Sequence, residues 1–445
     1  MIIKGKKYRY GIHVKDRKEL CREKPIETMP APEIVKISVS QHIGAPAIPV
    51  VNAGDAVVKG QLIAEASGAV SANVYSGVCG TVTGIEEIVN PMGLKQKYIV
   101  IKNDFRTDEV FLPNMESFDD KSIIERVRQA GIVGLGGAGF PTAVKLTPKN
   151  RLDTLVVNGA ECEPYITCDH RIMLEFAEQV VKGIRLCMAA CGADRAVIGI
   201  ENNKKDAAAA LAPFAEDIRI KLLKTKYPQG AEKQLVYGCT GRTIPEGALP
   251  ADAGVLVVNV HTALAVYKAV EEDTPCYERV MTVSGGAVEK PCNIWVKNGT
   301  PYRDIAAFCG GREDCARIVS GGPMMGEPVF SLKICTAKGT SALLFLNEDE
   351  CVSKKAEPCI GCGRCVQACP MGLSPVFIER AAFDKKYEEA AVYGAEQCIG
   401  CGCCSYVCPA KRFLVQSVKL AKKVLKGWRE KERAKNNGEG AEKNG

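Results

Sequence analysis

Long apolar runs are missing from this 445-residue chain. No stretch approaches the roughly 18 consecutive apolar residues that a spanning helix needs, so the sequence predicts no membrane span. The opening Met1-Ile-Ile-Lys-Gly-Lys-Lys-Tyr-Arg carries no apolar block of secretory-leader type, and export is not expected. Histidine is scarce, with four residues, which leaves little material for imidazole chemistry; His13, His42, His170 and His261 are expected to be structural. Net charge is absent from most of the chain. Lys plus Arg is 59 and Asp plus Glu 52, giving +7, but from Lys411 onward there are 11 basic and 4 acidic residues, which is again +7. The body before Lys411 is formally neutral, so there is no electrostatic case for nucleic-acid binding.

Cysteine is what the chain has in excess: 22 residues, in a composition that is 46% apolar and 25% charged. That is a core-forming composition, and at roughly 150 residues per domain the length predicts about three domains. Without a leader, so many thiols are read as metal ligands before disulfides. The spacing Cys359-x2-Cys362-x2-Cys365-x3-Cys369-Pro370 recurs as Cys398-x2-Cys401-x2-Cys404-x3-Cys408-Pro409. Thiolates three residues apart can wrap three corners of a cubane, and the proline turns the chain away. In two-cluster ferredoxins the fourth cysteine of each run ligates the other cluster. This assigns Cys359, Cys362, Cys365 and Cys408 to one [4Fe–4S] centre, and Cys369, Cys398, Cys401 and Cys404 to the second. A zinc site is disfavoured by the two identical runs, each closed by Cys-Pro. Cys403 sits inside the second run without shifting its spacing and is read as a non-ligand. The remaining thirteen cysteines default to small buried residues.

The expected architecture is multidomain, α/β plus β. Residues 1–32 are Pro-interrupted and without periodicity. Residues 33–105 are short apolar runs punctuated by Gly, Pro and Asn, an all-β pattern. Two hairpin-like pieces there, from Asn52 to Glu65 and from Val74 to Glu86, resemble the halves of a biotinyl/lipoyl-type barrel-sandwich hybrid. Where such carriers have their modifiable lysine this chain has Gly68, so a structural or docking module is expected. Over 115–275, Leu155-Val-Val-Asn, Ala196-Val-Ile-Gly-Ile and Val255-Leu-Val-Val-Asn alternate with helix-compatible sequence, predicting a Rossmann-like parallel sheet whose ligand sits beyond the strands' carboxyl ends. Residues 276–346 read as a small α+β unit, 347–412 as the ferredoxin-like domain and 413–445 as a basic amphipathic tail.

Gly134-Leu-Gly-Gly-Ala-Gly-Phe-Pro-Thr-Ala-Val-Lys145 has more glycine than packing requires, and lets backbone approach a phosphate or a flat ring. It departs from the G-x-G-x-x-G fingerprint. Asn158-Gly-Ala-Glu-Cys-Glu-Pro164 follows a strand and supplies an amide and two carboxylates where the crevice should open. With Tyr227-Pro-Gln-Gly-Ala-Glu232 and Val258-Asn-Val-His-Thr262, these stretches resemble the NADH-binding flavoprotein subunits of respiratory complex I, and the small α+β unit resembles a β-grasp (SLBB) domain. The resemblance implies that Gly134, Gly136, Gly137, Ala138, Gly139 and Lys145 hold the FMN phosphate. It implies that Asn158, Glu161, Tyr227, Gly230, Asn259 and Thr262 line a non-covalent FMN, that Phe140 and Glu163 contact NAD(H), and that Glu232 keeps one carboxylate of the family's Glu-Glu pair. Ala160 and Ala231 replace acidic residues of that pattern, and the nicotinamide-pocket positions near Glu246 and Leu249 also differ.

The order of modules, with Ser40-Gln-His-Ile-Gly-Ala-Pro-Ala and Gly131-Ile-Val-Gly-Leu-Gly-Gly, resembles the C subunits of the Rnf complex over nearly the full chain. That implies an electron-transfer subunit, peripheral on the cytoplasmic face of the cell membrane. It would exchange electrons between NAD(H) and a membrane assembly that works with ferredoxin, directly or through another subunit, and that moves sodium ions or protons. A free-standing reductase, such as a corrinoid reductase, is a rival, although its barrel-sandwich module is expected after the clusters. A non-catalytic electron-wire adaptor is a second. Leu414, Val418, Ala421, Leu425 and Trp428 recur at helical spacing among Lys419, Lys422, Lys423, Lys426 and Arg429, which predicts a basic amphipathic helix suited to an anionic membrane surface or an acidic partner.

Overall fold

The computed structural model describes residues 1–90, 93–351 and 355–442, with side chains to 432. It divides into two compact units. One comprises Met1–Lys7, Lys15–Thr225 and Gln229–Cys351, the other Tyr8–Val14, Lys226–Pro228 and Val352–Gly445.

The first unit is built on a five-stranded sheet in the order Ile2–Lys4, Arg219–Leu223, Arg195–Glu201, Thr154–Gly159, Val255–Asn259. Every pairing is parallel. Both faces are covered, so the strands are near-continuous apolar runs. Leu155 and Val157 enter a core with Val180 and Ile184 of helix Ala177–Cys191 and Leu264 of helix Val260–Glu271, while Val156 points the other way, into a core with Leu235 and Val236 of helix Glu232–Thr240. That is the two-residue alternation of a strand. The three strands predicted from β-branched runs are present; Ile2–Lys4 and Arg219–Leu223 are additional.

A six-stranded mixed sheet follows in sequence, ordered Glu327–Pro328, Arg317–Ser320, Ala342–Leu346, Glu278–Ser284, Cys292–Lys297, Ile26–Thr28, with helix Tyr302–Cys309 against it. Residues 1–32 are therefore not a free-standing segment. They lend an edge strand to each of two sheets, at Ile2–Lys4 and Ile26–Thr28, and three-residue strands are too short to show a period. The all-β module consists of a four-stranded sheet (Ile34–Ser38, Lys95–Asn103, Gly80–Val89, Ala56–Val57) and a three-stranded one (Ile48–Pro49, Leu62–Glu65, Val74–Tyr75) around a core of Val35, Ile37, Ile63 and Ile99. Gly68 occupies a turn at φ +79° with open space around it.

In the second unit, helices Arg364–Ala368 and Cys403–Val407 lie within the two cysteine runs, and helices Pro375–Phe383 and Tyr387–Val392 pack with the long Leu414–Glu442. The tail helix forms as predicted, but its apolar stripe is not free. Leu414, Val418, Ala421 and Leu425 are buried in the unit's own cores, with Ile378, Ala390 and Cys408. Trp428, 38% exposed, sets its ring edge-on to Tyr387 at 5.7 Å. Burying a Leu or Val side chain stabilises by about 1.5–3 kcal/mol, and this helix directs that stabilisation to its own domain. The apolar face of the predicted amphipathic helix is thus committed to the unit's own cores, and residues 443–445 of the predicted tail lie outside the described residues. No helix among the described residues is long and apolar enough to cross a membrane.

Candidate functional site

Asn158 and Asn259 are register partners at the carboxyl ends of adjacent parallel strands, where α/β sheets open their ligand crevice. Asn158 clamps the neighbouring turn: its Nδ2 donates to the Gly230 carbonyl at 3.0 Å and its Oδ1 accepts from the Ala160 amide at 3.0 Å. Asn259 caps helix Val260–Glu271, its Oδ1 accepting from His261 N at 2.8 Å, and its Nδ2 donates to Asp169 at 2.6 Å.

The glycine-rich loop lies against this pair. Gly134 N donates to Phe140 O at 2.9 Å, and Leu135 N to Thr262 Oγ1 at 3.0 Å. A Cβ on Gly136 would stand 2.3 Å from Asn259 Nδ2, and Gly139 adopts φ +70°, whereas Gly137 has open space around it. Gly136, Gly137, Ala138 and Phe140 face solvent, so the loop presents backbone rather than side chains, apart from one aromatic ring. Lys145 pairs with Glu232 at 3.0 Å, both partly exposed. Glu163 accepts from Met324 N at 3.1 Å, which places its carboxylate against the Gly322–Met324 turn of the second sheet's domain. Tyr227 belongs to the other compact unit.

Beneath the crevice lies a buried charge cluster that the sequence did not announce. Glu161 accepts from Asp169 N at 2.8 Å and from His170 N at 3.4 Å, its negative charge sitting at the amino end of helix Cys168–Glu175. Lys18 approaches Glu161 to 3.9 Å and donates to the carbonyls of Glu163 and Ile166. Lys204, with no exposed side-chain surface, pairs with Glu201 at 3.0 Å and donates to Glu161 O at 3.1 Å. Arg279, also buried, donates to the Leu135 carbonyl at 3.2 Å, under the glycine loop. Burial of unpaired charge is costly, and here each charge has a partner. No local pattern reveals such a cluster: Lys18 lies in the aperiodic N-terminal segment, and Asp169, Glu201 and Arg279 carry no motif. His170 is likewise partnered, by Asp206 at 2.9 Å.

Asp169 is the member with a pH signature. Burial, then the charge of Glu161, push its carboxyl up to about 7 from an ordinary 3.8. A raised carboxyl holds its proton in the folded state while the unfolded chain has released it. Its contribution to stability is full below about pH 4 and is lost as pH rises through 7. Asp169→Asn, which stays neutral, is therefore expected to flatten the decline in thermal midpoint between about pH 4 and 7. Parallel profiles for variant and parent would contradict this.

The cysteine runs give a second site. In both, glycines at equivalent positions take left-handed turns: Gly361 and Gly363 at φ +68°, Gly400 and Gly402 at φ +69° and +78°. These turns aim amides at sulfur, with Gly361 N to Cys359 Sγ at 3.5 Å, Gly400 N to Cys398 Sγ at 3.3 Å and Leu373 N to Cys369 Sγ at 3.4 Å. Amide donors of this kind stabilise thiolate ligands. Cys369, Cys398, Cys401 and Cys404, drawn from both runs, line one cavity of about 380 Å³ including its mouth, together with Cys403 and with Met371, Leu373 and Ile378 as apolar wall. The donor set and apolar enclosure fit a cubane. Cys365 packs against a second small core that holds Cys408, from the other run, and also Cys404, while Cys359 and Cys362 are exposed. Of the thirteen scattered cysteines, ten are buried and three half-buried.

Four family models match the chain. Residues 6–106 match the RnfC barrel sandwich hybrid domain, 127–268 the Nuo51 FMN-binding domain, 280–328 the SLBB domain and 358–411 the 4Fe-4S dicluster domain. The chain is 45% identical over 440 residues (97% of this chain, 96% of the other) to the C subunit of the proton-translocating ferredoxin:NAD(+) oxidoreductase complex of Clostridium ljungdahlii. It is 42% identical over 441 residues (97% and 100%) to the C subunit of the Na(+)-translocating ferredoxin:NAD(+) oxidoreductase complex of Acetobacterium woodii. To the C subunit of the ion-translocating oxidoreductase complex of Rhodobacter capsulatus it is 44% identical, over 94% of this chain and 83% of the other.

Proposed function

The chain belongs to the family of C subunits of ion-translocating ferredoxin:NAD(+) oxidoreductase complexes, and from that premise we propose that it takes up or delivers electrons at an NAD(H) site of its own, passing them through FMN and two [4Fe–4S] clusters to partner subunits at the cytoplasmic face of the membrane. A flavin exchanges a hydride with nicotinamide and single electrons with clusters, a link that neither cofactor makes alone.

The observation that carries this reading is the solvent-facing glycine loop lying against Asn259, itself register partner of Asn158 at the sheet's carboxyl edge. Gly136, Gly137, Ala138 and Gly139 would bring backbone amides to the FMN phosphate, and Lys145, once drawn from Glu232, would add charge. Asn158, Gly230, Asn259 and Thr262 would hold the ring by polar contacts, and buried Glu161 would fix the floor. Phe140 would stack on the nucleotide. Glu163, which accepts from Met324 N through Oε2, would also accept from ribose hydroxyls. The cysteine sets would hold the clusters in the crossed pattern. The exposed basic face of helix Leu414–Glu442, including Lys423 and Lys426, would then serve electrostatic docking to acidic subunits or lipid headgroups, since its apolar face is committed.

Anaerobic titration of cluster-replete, FMN-supplemented protein with NADH tests the reading. Flavin bleaching followed by reduced-cluster EPR signals is expected. Clusters that reduce with dithionite while NADH leaves the flavin oxidised would replace it with the adaptor reading.

A further inference from the structure

The two cysteine runs are identical in spacing but not in surroundings. Cys362, the second cysteine of the first run, is exposed, while its counterpart Cys401 is buried. After one glycine the first run continues with Arg364, the second with Cys403. Cys403 has no exposed surface; its thiol makes a hydrogen bond with Cys401 and lies 4.0 Å from the Tyr227 carbonyl. Tyr227, 1% exposed, donates its phenol O–H to the Cys401 carbonyl at 2.8 Å. Its own backbone is immobilised by a reciprocal pair of 2.8 Å bonds with Ile12. Phenol and thiol thus converge on one cluster cysteine, within one compact unit.

We propose that Tyr227 and Cys403 are positioning residues of the second cluster, Tyr227 pinning the Cys401 peptide and Cys403 holding its thiol between the Cys401 side chain and the Tyr227 carbonyl, and that together they hold this centre at a higher reduction potential than the bare loop would give. This rests on the reading that the four cysteines carry a [4Fe–4S] cluster. The physical reason is general. Adding an electron makes the cluster and its thiolates more negative, and a donor aimed at a ligand stabilises that charge, so the reduced form gains more than the oxidised one. The role differs from the flavin-lining one that resemblance implies for Tyr227, although Gly230 follows it by only three residues.

The test is a potentiometric EPR titration of the full-length protein with both clusters and FMN, comparing parent, Tyr227→Phe and Cys403→Ala. The second cluster is identified as the signal altered by Cys398→Ser. In each variant its midpoint is expected to move to lower potential, with the other cluster's midpoint, iron and sulfide content and FMN affinity unchanged. Unmoved cluster midpoints with weakened FMN binding in Tyr227→Phe would return the tyrosine to the flavin and overturn the proposal, as would loss of iron in Cys403→Ala, which would make that thiol a ligand. Should Tyr227→Phe fail to fold, Cys403→Ala decides alone: an unshifted midpoint overturns the proposal and a lowered one supports it. Parent protein that takes up no second cluster would instead defeat the underlying reading, and this inference with it.

Discussion

Cys369→Ser and Cys404→Ser are expected to abolish the same EPR signal, although the two cysteines belong to different runs. Cys408→Ser, which shares a run with Cys404, is expected to abolish the other. Each variant should lose or convert one cubane, with iron falling from about eight atoms per chain to about four or somewhat more. NADH-driven reduction of an acceptor that draws electrons from the clusters should fall by orders of magnitude. The argument is geometric. Cys369 lines the same cavity as Cys398, Cys401 and Cys404, whereas Cys408 is not among the residues that line it and packs with Cys365 in a core that also holds Cys404. The fourth thiol of each run breaks the three-residue rhythm, coming after x3 rather than x2, and the proline that follows it turns the chain away. If Cys369→Ser silenced the signal of Cys359→Ser instead, each run would be closed on itself and the crossed pattern would be wrong.

How far the sequence could be read depended on whether a signal was local. The cysteine spacing is local, and so are the glycine loop and the β-branched runs at Leu155, Ala196 and Val255; each became a recognisable element at the expected place. Ile2–Lys4 and Ile26–Thr28 were illegible because three residues carry no period and their pairing partners lie far along the chain, at Ile220 and Asn293. The buried charges fail for the same reason. Lys18 reads as an ordinary surface lysine until the fold brings it to Glu161, 143 residues later in the sequence and 3.9 Å away. Helix Leu414–Glu442 shows a different limit. Its stripe predicts an apolar face correctly, but periodicity does not say what covers that face, and the same pattern serves a membrane or a neighbouring helix.

Gly230→Ala is the glycine substitution with the largest expected consequence. A Cβ built there stands 2.2 Å from the Ala160 carbonyl oxygen. That atom is backbone and cannot rotate away, so one of the two segments must shift. Both are tied to the same amide, with Asn158 donating to Gly230 O and accepting from Ala160 N, and a shift of either breaks a bond at the strand end. Overpacking of this kind costs about 1–3 kcal/mol, and each 1.4 kcal/mol is about tenfold in affinity. A lowered melting temperature together with FMN binding weakened about tenfold to a hundredfold is therefore expected. Gly137→Ala supplies the contrast, because open space surrounds that position. An added methyl there has nothing in the protein to strike and should leave the apo-protein's melting temperature unchanged. It should still weaken FMN binding if the loop's solvent-facing backbone is what meets the phosphate. Normal FMN affinity in Gly137→Ala would move the cofactor off the loop, whereas a loss confined to affinity would place the phosphate against that backbone, since neither folding nor packing has any other reason to notice the methyl group.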